Sequence, residues 1–253
     1  MENYKVGGLA KYGLDYASLR ALNPALVYCS ITGYGQEGPY ARRAGYDAAI
    51  QAIGGLMSVT GEPDGAPGGG PQKVGVAATD LMTGMYAATA ILAALRHAER
   101  TGQGQQIDLA LLDTQVAWLA NQASNWLVGG QVPGRQGTAH PNIVPYQVMP
   151  AADGHFMLAV GNDAQFARLC EVIGEPWLAA DARYATNNCR VAHRAELVSL
   201  LQQRLRARTV AEWLQRLERA LVPASPVNRI DQVFDDPQVR ARGLRTDLPP
   251  ASG

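Results

Sequence analysis

The sequence has 253 residues, of which 47% are hydrophobic and 17% charged, so it contains enough apolar material for one large domain or two modest ones. Its 22 basic and 22 acidic residues give a formal net charge of zero, and no run of Lys or Arg could follow a phosphate backbone. Nucleic acid is therefore excluded as an expected partner. Three widely separated cysteines, Cys29, Cys170 and Cys189, form neither a disulfide framework nor a metal pair, which predicts buried thiols and a cytoplasmic location.

The first half of the chain predicts strands alternating with helices. A buried strand is expected over residues 26–32, ending in a glycine-rich turn, and a short helix follows over 48–53. The stretch "VGVAATDLMTGMYAATAILAAL" then predicts a long helix. We expect five of its residues to pack on one buried face: Leu81, Met85, Ala88, Leu92 and Leu95. Its most apolar run, 81–95, falls short of a membrane span, so no membrane partner is expected.

The alternation continues up to a loop rich in Gly and Pro, and a small α/β unit is expected after that loop. A strand over 107–113 precedes a helix in "TQVAWLANQASNWLVGG", and residues 129–146 form a loop rich in Gly and Pro, where we expect a domain boundary. Next, "GHFMLAVGNDAQFARLCEVIG" predicts a strand and then a helix. Two amphipathic helices follow, the second capped by Thr209 with Glu212 three residues on. The pattern is that of an α/β protein.

Asp80 is a carboxylate at the start of the long apolar helix. One interpretation is a helix N-cap, whose carboxylate accepts hydrogen bonds from the first backbone N–H groups. The other is a covalent nucleophile, because a carboxylate held ionised at the positive end of a helix can attack an acyl carbon at neutral pH without a separate base. Residue pattern alone leaves both interpretations open.

Four blocks in chain order resemble the family III CoA-transferases (CaiB/BaiF), which include formyl-CoA transferase and the carnitine CoA-transferases. They are "GYGQEGPYARRAGYD", "GGLMSVTGEPDG", "ATDLMTGMYAATAILAAL" and "RTGQGQQIDLALLD". Later blocks, "GTAHPNIVPYQ" and "DPQVRARGL" among them, are most similar to the succinate-hydroxymethylglutarate (glutarate) CoA-transferase branch. The resemblance covers essentially the whole chain.

The resemblance implies a particular domain arrangement. Residues 1–148 would form part of a Rossmann-like large domain carrying the catalytic aspartate, and residues 149–225 a small α/β domain. Residues 226–253 would be a linker returning toward the large domain. Family members are interlocked-ring homodimers, so a homodimer is implied here. "MENYKVGG" resembles an interior block of a full-length member, so the chain is expected to lack the family's N-terminal and C-terminal ends.

The resemblance also implies a reaction. Asp80 would be the nucleophile of an acyl-CoA:carboxylate CoA-transferase that moves CoA between short (di)carboxylic acids through aspartyl anhydride and aspartyl-CoA thioester intermediates. Coenzyme A would enter as the acyl-CoA substrate, with no tightly bound cofactor. Gly137, Thr138 and Ala139 occupy the place of the family's glycine loop, and their backbone N–H groups are expected to stabilise the oxyanion. Only Gly137 is a glycine in the centre of this loop.

Three further residues are expected to contact CoA by the same resemblance: Lys11, Tyr46 and Asp47. Lys11 stands where formyl-CoA transferases have a basic residue on CoA, and a solvated surface lysine is the alternative. Asp47 matches an acidic family position near the nucleophile, and a helix N-cap is the alternative. Tyr46 stands where racemases of the family carry a histidine base. Because a phenol has a pKa of about 10, this substitution disfavours a 2-methylacyl-CoA racemase.

Two roles are open for each of three further side chains. His140 in the loop is either a general base or a solvent-exposed side chain. Arg42 or Arg43 either pairs with a distal substrate carboxylate or is simply solvated.

The four histidines have no metal-ligand spacing, so no metal site is expected. For the chain as a whole, the alternative to an enzyme is a catalytically silent truncated family member that keeps only the fold and the dimer contacts.

Overall fold

The computed structural model of the chain describes residues 1–248. It separates into two compact units, Met1–Gly137 and a second unit that begins at Thr138. Both units contain helices and strands, which confirms the α/β class predicted from the sequence. The three-part division at residues 148 and 225 stays a prediction.

A parallel strand pair forms the centre of the first unit. A short 3-10 helix (Ala10–Tyr12) and α1 (Tyr16–Leu22) precede β1 (Tyr28–Thr32). The later elements are α2 (Asp47–Ile53), α3 (Leu56–Val59), α4 (Ala78–Thr101), β2 (Gln106–Ala110), α5 (Leu111–Ala117) and α6 (Ala120–Leu127). β1 and β2 pair in parallel, with Tyr28 opposite Gln106 and Thr32 opposite Ala110. Since parallel strands need a long crossover, α2 to α4 lie between them in the chain, and both strands end at the same edge.

The predicted strand over 26–32 is confirmed by β1, whereas the predicted strand over 107–113 is too long. The chain turns helical at Leu111, because Leu111, Thr114 and Gln115 recur at helical spacing and all three are buried. The single helix expected after residue 113 is two helices, α5 and α6, and Ala120 at the start of the second has a φ of 44°. Tertiary packing overrides the local strand pattern here.

The predicted buried face of α4 is wrong. The helix buries Thr79, Thr83, Ala87, Ala94 and Ala98, which are small side chains. Those expected to be buried, Leu81, Met85, Ala88, Leu92 and Leu95, are all exposed. α4 contacts β1, β2, α2 and α5 through its small face, and small side chains let a helix approach its neighbours closely. The predicted helix is therefore confirmed, but its buried face is not.

α4, which contains the apolar run 81–95, is the helix that bears on the expectation about a membrane span. The helix has 24 residues, and its most apolar window has a mean hydropathy of 1.3. By length and composition alone it could cross a membrane, although a core helix of a soluble protein passes the same test. Its apolar character is concentrated in the exposed side chains.

The second unit is built on a three-stranded antiparallel sheet in the order β3 (Tyr146–Pro150), β4 (His155–Ala159), β5 (Ala224–Pro226). Its helices are α7 (Asp163–Val172), α8 (Trp177–Ala180), α9 (Asn187–Ala192), α10 (Arg194–Leu205), α11 (Val210–Arg219), α12 (Ile230–Asp235) and α13 (Pro237–Ala241). β4 and α7 confirm the predicted strand and helix. The capping box of Thr209 and Glu212 at α11 is confirmed as well. Residues 249–253 of the predicted linker lie outside the described residues.

An apolar core fills this second unit. Phe156 on β4, Phe166 on α7 and Leu201 on α10 are each at most 1% exposed. They belong to a continuous cluster of buried side chains that extends from Val144 to Val222. The unit therefore has the hydrophobic core that an independently stable domain requires.

Candidate active site

A cavity of about 700 Å³ opens where the parallel strands of the first unit end. Its floor includes Thr32 and Gly33 at the end of β1 and Leu111 just after β2. Residues 1–6 and 41–46 form further walls, and Asp80, Thr83 and Gly84 line it from α4. The carboxyl ends of parallel strands are the usual binding edge of open α/β sheets. The cavity is therefore the candidate site.

Two glycines bring the cavity walls together. Gly33, which directly follows β1, and Gly45, which precedes α2, pack backbone against backbone. A Cβ on Gly33 would lie 2.4 Å from the Gly45 Cα, and a Cβ on Gly45 would lie 2.2 Å from the Gly33 Cα. Any side chain would push these segments apart, so glycine is required at both positions.

Asp80 occupies the third position of α4 and lines the cavity. The N-cap residue of this helix is Ala77, which makes no side-chain cap, so the N-cap interpretation of Asp80 is wrong. Partial burial raises the pKa of the Asp80 carboxyl, and the nearby charge of Asp47 raises it further. The side chain itself remains exposed. Asp80 is thus an accessible carboxylate at the positive end of a long helix.

Asp47 supplies the cap that α4 lacks locally. Its Oδ1 accepts a hydrogen bond from the Thr79 N–H at 2.8 Å and a longer one from the Asp80 N–H at 3.4 Å. Asp47 is the first residue of α2, whose N-cap is Tyr46, so it does not cap its own helix. The N-cap alternative for Asp47 is wrong in that form. The carboxylate instead stabilises the N-terminus of a helix that begins 31 positions later in the chain.

Sequence reasoning missed two buried amides behind these carboxylates. Gln51 is 0% exposed, and its Nε2 donates to Asp47 Oδ2 at 2.6 Å. Gln115 is 2% exposed, and its Oε1 accepts from the Thr79 hydroxyl at 2.8 Å. The spacing of four between Asp47 and Gln51 on one helix was a usable signal for the first pair. The Gln115 contact joins residues 36 positions apart, and no local pattern indicates it.

The predicted CoA-contacting residues are placed differently from one another. Tyr46 is 76% exposed and lines the cavity next to Asp47. Lys11 does not line it, and its ammonium lies 4.8 Å from the centre of the Tyr12 ring. Arg42 and Arg43 do line the cavity, and the Arg43 guanidinium stacks 3.8 Å from the Tyr40 ring centre. The structure thus brings Tyr46, Asp47 and Asp80 together, without Lys11.

Gly137, at the end of the first unit, has a φ of 59°, which favours glycine. Its N–H already donates to the Gly61 carbonyl at 2.9 Å. Thr138 and Ala139 belong to the second unit, where the Thr138 hydroxyl accepts a hydrogen bond from the Val148 N–H at 3.1 Å. The role of these three residues as oxyanion donors stays a prediction.

His140 also lies in the second unit. Its ring stacks on Tyr146 with centres 5.2 Å apart, and its Nδ1 accepts from the Asn142 N–H. Burial, and then the charge of Arg194, lower the pKa of His140, so the neutral imidazole is favoured. The side chain is therefore held in place and is not freely solvated. Among residues 1–248, no group of three or more His, Cys, Asp or Glu is arranged to hold a metal ion.

The chain is similar in sequence to known CoA-transferases. Residues 1–252 match the family described as CoA-transferase family III. The chain is 55% identical over 253 residues to a succinate–glutarate CoA-transferase of Agrobacterium fabrum, covering 100% of this chain and 62% of that protein. It is 44% identical over 248 residues to a human succinyl-CoA:glutarate CoA-transferase, covering 98% of this chain and 56% of the human protein.

Solved structures give the same result. A CaiB/BaiF family protein from Brucella suis superposes with a TM-score of 0.82 at 53% identity, covering 97% of this chain and 64% of that one. A Mycobacterium tuberculosis protein superposes with a TM-score of 0.85 at 30% identity, covering 100% and 66%. The chain thus spans less than two thirds of the length of the curated relatives it matches. The family match over nearly the whole chain, together with these likenesses, shows that the chain belongs to CoA-transferase family III.

Proposed function

We propose that this chain carries the nucleophile of an acyl-CoA:carboxylate CoA-transferase, and that Asp80 is the residue to which CoA becomes attached. One observation carries the proposal: Asp80 lines the strand-end cavity from the first turn of α4, on a helix start held by Asp47. An exposed carboxylate in the first turn of a helix is accessible to an acyl carbon and can attack it as a nucleophile.

The first half of the reaction loads the enzyme. An Asp80 oxygen attacks the thioester carbon of the donor acyl-CoA, the C–S bond breaks, and CoA thiolate leaves an aspartyl-acyl anhydride. The thiolate then attacks the aspartyl carbonyl carbon. The donor acid departs as its carboxylate with the bridging oxygen, and Asp80 carries CoA as a thioester.

The second half reverses these steps with the acceptor. An acceptor carboxylate oxygen attacks the aspartyl thioester carbon, which releases CoA thiolate and forms a second anhydride. The thiolate attacks the acceptor acyl carbon, and Asp80 returns as a carboxylate that keeps one oxygen from the acceptor. Each step passes through a tetrahedral oxyanion, for which Gly137, Thr138 and Ala139 are the proposed N–H donors. Gly137 would have to release the Gly61 carbonyl to serve.

Short dicarboxylic acids are the proposed acyl groups, with succinate and glutarate as the first pair to test. The named activities of the similar proteins support this choice. The cavity agrees with it, since Lys5, Arg42 and Arg43 line the cavity that contains Asp80 and could receive a distal carboxylate. Tyr46 and Asp47 are the proposed contacts for the CoA thioester end. A homodimer and a cytoplasmic location belong to the same proposal.

The test is intact-mass spectrometry after mixing the protein with succinyl-CoA. We expect a CoA adduct that hydroxylamine removes, since thioesters are labile to it. Asp80→Asn should form at least about a thousandfold less adduct, because no other group can replace a covalent nucleophile. Asp113→Asn, an exposed aspartate in the first turn of α5, is the matched control and should load normally. No adduct in the parent chain would favour the catalytically silent alternative.

A further inference from the structure

A buried glutamine lies directly behind the two carboxylates of the site. Gln51 is fully buried on α2, one turn after Asp47. A buried amide is costly unless its polar atoms are hydrogen-bonded, and both ends of this one are. Its Nε2 donates to Asp47 Oδ2 at 2.6 Å, and its Oε1 accepts from the Val74 N–H at 2.9 Å.

These two hydrogen bonds hold the segment that leads into α4 at both of its ends. Val74 begins the segment that leads into α4, and Asp47 binds the Thr79 N–H within the first turn. Gln51 therefore ties together the start of the segment and the carboxylate that caps its end. With one oxygen held by Gln51, Asp47 presents the other to the backbone of Thr79 and Asp80.

The chemistry at this position calls for an amide. A donor is needed toward Asp47 and an acceptor toward the Val74 N–H, and glutamine supplies one of each. A lysine would supply no acceptor, and an ionised glutamate would supply no donor. A neutral amide also leaves the negative charge of Asp47 in place to cap the helix.

We propose that Gln51 is a positioning residue for the transfer: it holds Asp47 in the orientation that caps α4 and thereby sets the direction of Asp80. The inference rests on the proposed function of Asp80. Gln51 does not line the cavity. It acts through Asp47, and its loss should change the rate of the chemical step more than the binding of acyl-CoA.

The elements packed against α2 carry the charged side chains that surround Gln51 and Asp47. α2 packs against α3, α4 and α5. α3 carries no charged residue, α4 contributes Asp80, and α5 contributes the exposed Asp113. In the loop before α4, the Lys73 ammonium donates to the Val74 carbonyl. A pH effect introduced at position 51 therefore reports mainly on its partner Asp47.

Gln51→Leu removes both hydrogen bonds. We expect the rate of CoA loading on Asp80 to fall about tenfold, with the KM for succinyl-CoA nearly unchanged, because the lost bond is to a charged group. Gln115→Leu is the matched buried control, since it breaks the contact to the Thr79 hydroxyl and leaves Asp47 untouched. It should lower the rate less.

Gln51→Glu gives a sharper test and remains informative if Gln51→Leu fails to fold. At acid pH a protonated Glu donates to Asp47 as the amide does, so the loading rate should approach that of the parent chain. As the pH rises the shared proton is lost, two adjacent carboxylates repel, and the rate should fall toward that of Gln51→Leu. Gln131→Glu, at an exposed position, adds the same charge and should show no such fall.

A second readout does not depend on activity. The NMR shift of the Thr79 amide proton reports its hydrogen bond to Asp47. It should move in Gln51→Leu and should change with pH in Gln51→Glu relative to Gln131→Glu. If the parent chain loads CoA but the Gln51 variants load like Gln131→Glu at every pH, the inference is overturned. If the parent chain loads no CoA, the proposed function fails, and an unmoved Thr79 shift in Gln51→Leu would overturn the inference separately.

Discussion

The two units of the chain bury different kinds of side chain. In the second unit the buried residues are almost all apolar, and Phe156, Leu201 and Trp213 belong to one continuous cluster. In the first unit the buried side chains are often small or polar. Among the described residues they include Ser30, Gln51, Thr79, Thr83, Thr114 and Gln115. The second unit is thus built for packing, whereas the first places hydrogen-bonding groups behind the candidate nucleophile.

The exposed side chains show the reverse contrast. α4 in the first unit exposes Leu81, Met85 and Leu92, each more than 60% accessible. α10 in the second unit buries Leu197, Leu201 and Leu205 completely. A helix can therefore carry the same apolar period in both units and direct it to opposite environments. The contrast predicts that the same kind of substitution lowers the free energy of unfolding by different amounts in the two units.

The largest effect is expected for a leucine pair. Leu201→Ala should lower the free energy of unfolding by about 2–5 kcal/mol, because it leaves a cavity in a closed core. Leu92→Ala, at a site 67% exposed, should change it by no more than about 0.5 kcal/mol. Urea denaturation of both variants measures the difference. Equal costs would mean that the apolar face of α4 is covered in solution, and the contrast between the units would fail.

Arg190 is the exception to the apolar burial in the second unit, because its charged side chain is buried. Arg190 is 0% exposed and donates to the Val144 and Tyr184 carbonyls and to Asp163. Arg190→Met should lower the free energy of unfolding by about 2–4 kcal/mol, because two buried carbonyls lose their donors.

Arg204 provides the matched control for Arg190. It pairs with Glu175 at 2.6 Å, but its side chain is 58% exposed. Arg204→Met should therefore cost only about 0–1 kcal/mol in the same denaturation measurement. If the two variants cost the same, burial would not be what gives the Arg190 contacts their value.

The two units also differ in how their helices are capped, and we expect a smaller effect on stability from this difference. α11 is capped locally by Thr209, whereas α4 is capped from another helix by Asp47. Thr209→Ala and Asp47→Ala should each cost about 1 kcal/mol of unfolding free energy, measured by denaturation. Only Asp47→Ala should also slow CoA loading. Loss of loading in Thr209→Ala would contradict the assignment of the nucleophile to the first unit.

The smallest predicted change in the free energy of unfolding is an increase. The pKa of Asp80 is raised in the folded chain, so folding disfavours its ionised form. This cost is absent below the ordinary pKa of an aspartate and complete above the raised folded value. Asp80→Asn should therefore be slightly more stable than the parent chain at neutral pH. The gain should vanish as the pH falls through that window, and a gain that persisted at acid pH would have another cause.

Local patterns predicted much of the fold. β1, β4, α7 and the capping box at α11 follow from alternation, helical period and cap residues within a few positions. The position of Asp80 at a helix start was also readable, and the motif blocks identified the family. These features depend on neighbours in the sequence, so sequence reasoning can find them.

What could not be predicted depends on residues far apart in the chain. The burial of Ala87 and Ala94 in place of Leu92 is decided by the strands that α4 packs against. The role of Asp47 as a cap depends on a helix that starts 31 positions later. No window of sequence contains both partners in such contacts. Tertiary packing therefore determined the details of the candidate site.

The central claim is that Asp80 itself exchanges oxygen with the acids during transfer. Turnover with succinyl-CoA and 18O-labelled glutarate, followed by mass spectrometry of the peptide containing Asp80, tests it most directly. The mechanism predicts that the Asp80 carboxyl gains labelled oxygen from glutarate, while peptides containing Asp47 and Asp113 stay unlabelled. Formation of glutaryl-CoA with no label in Asp80 would contradict the account.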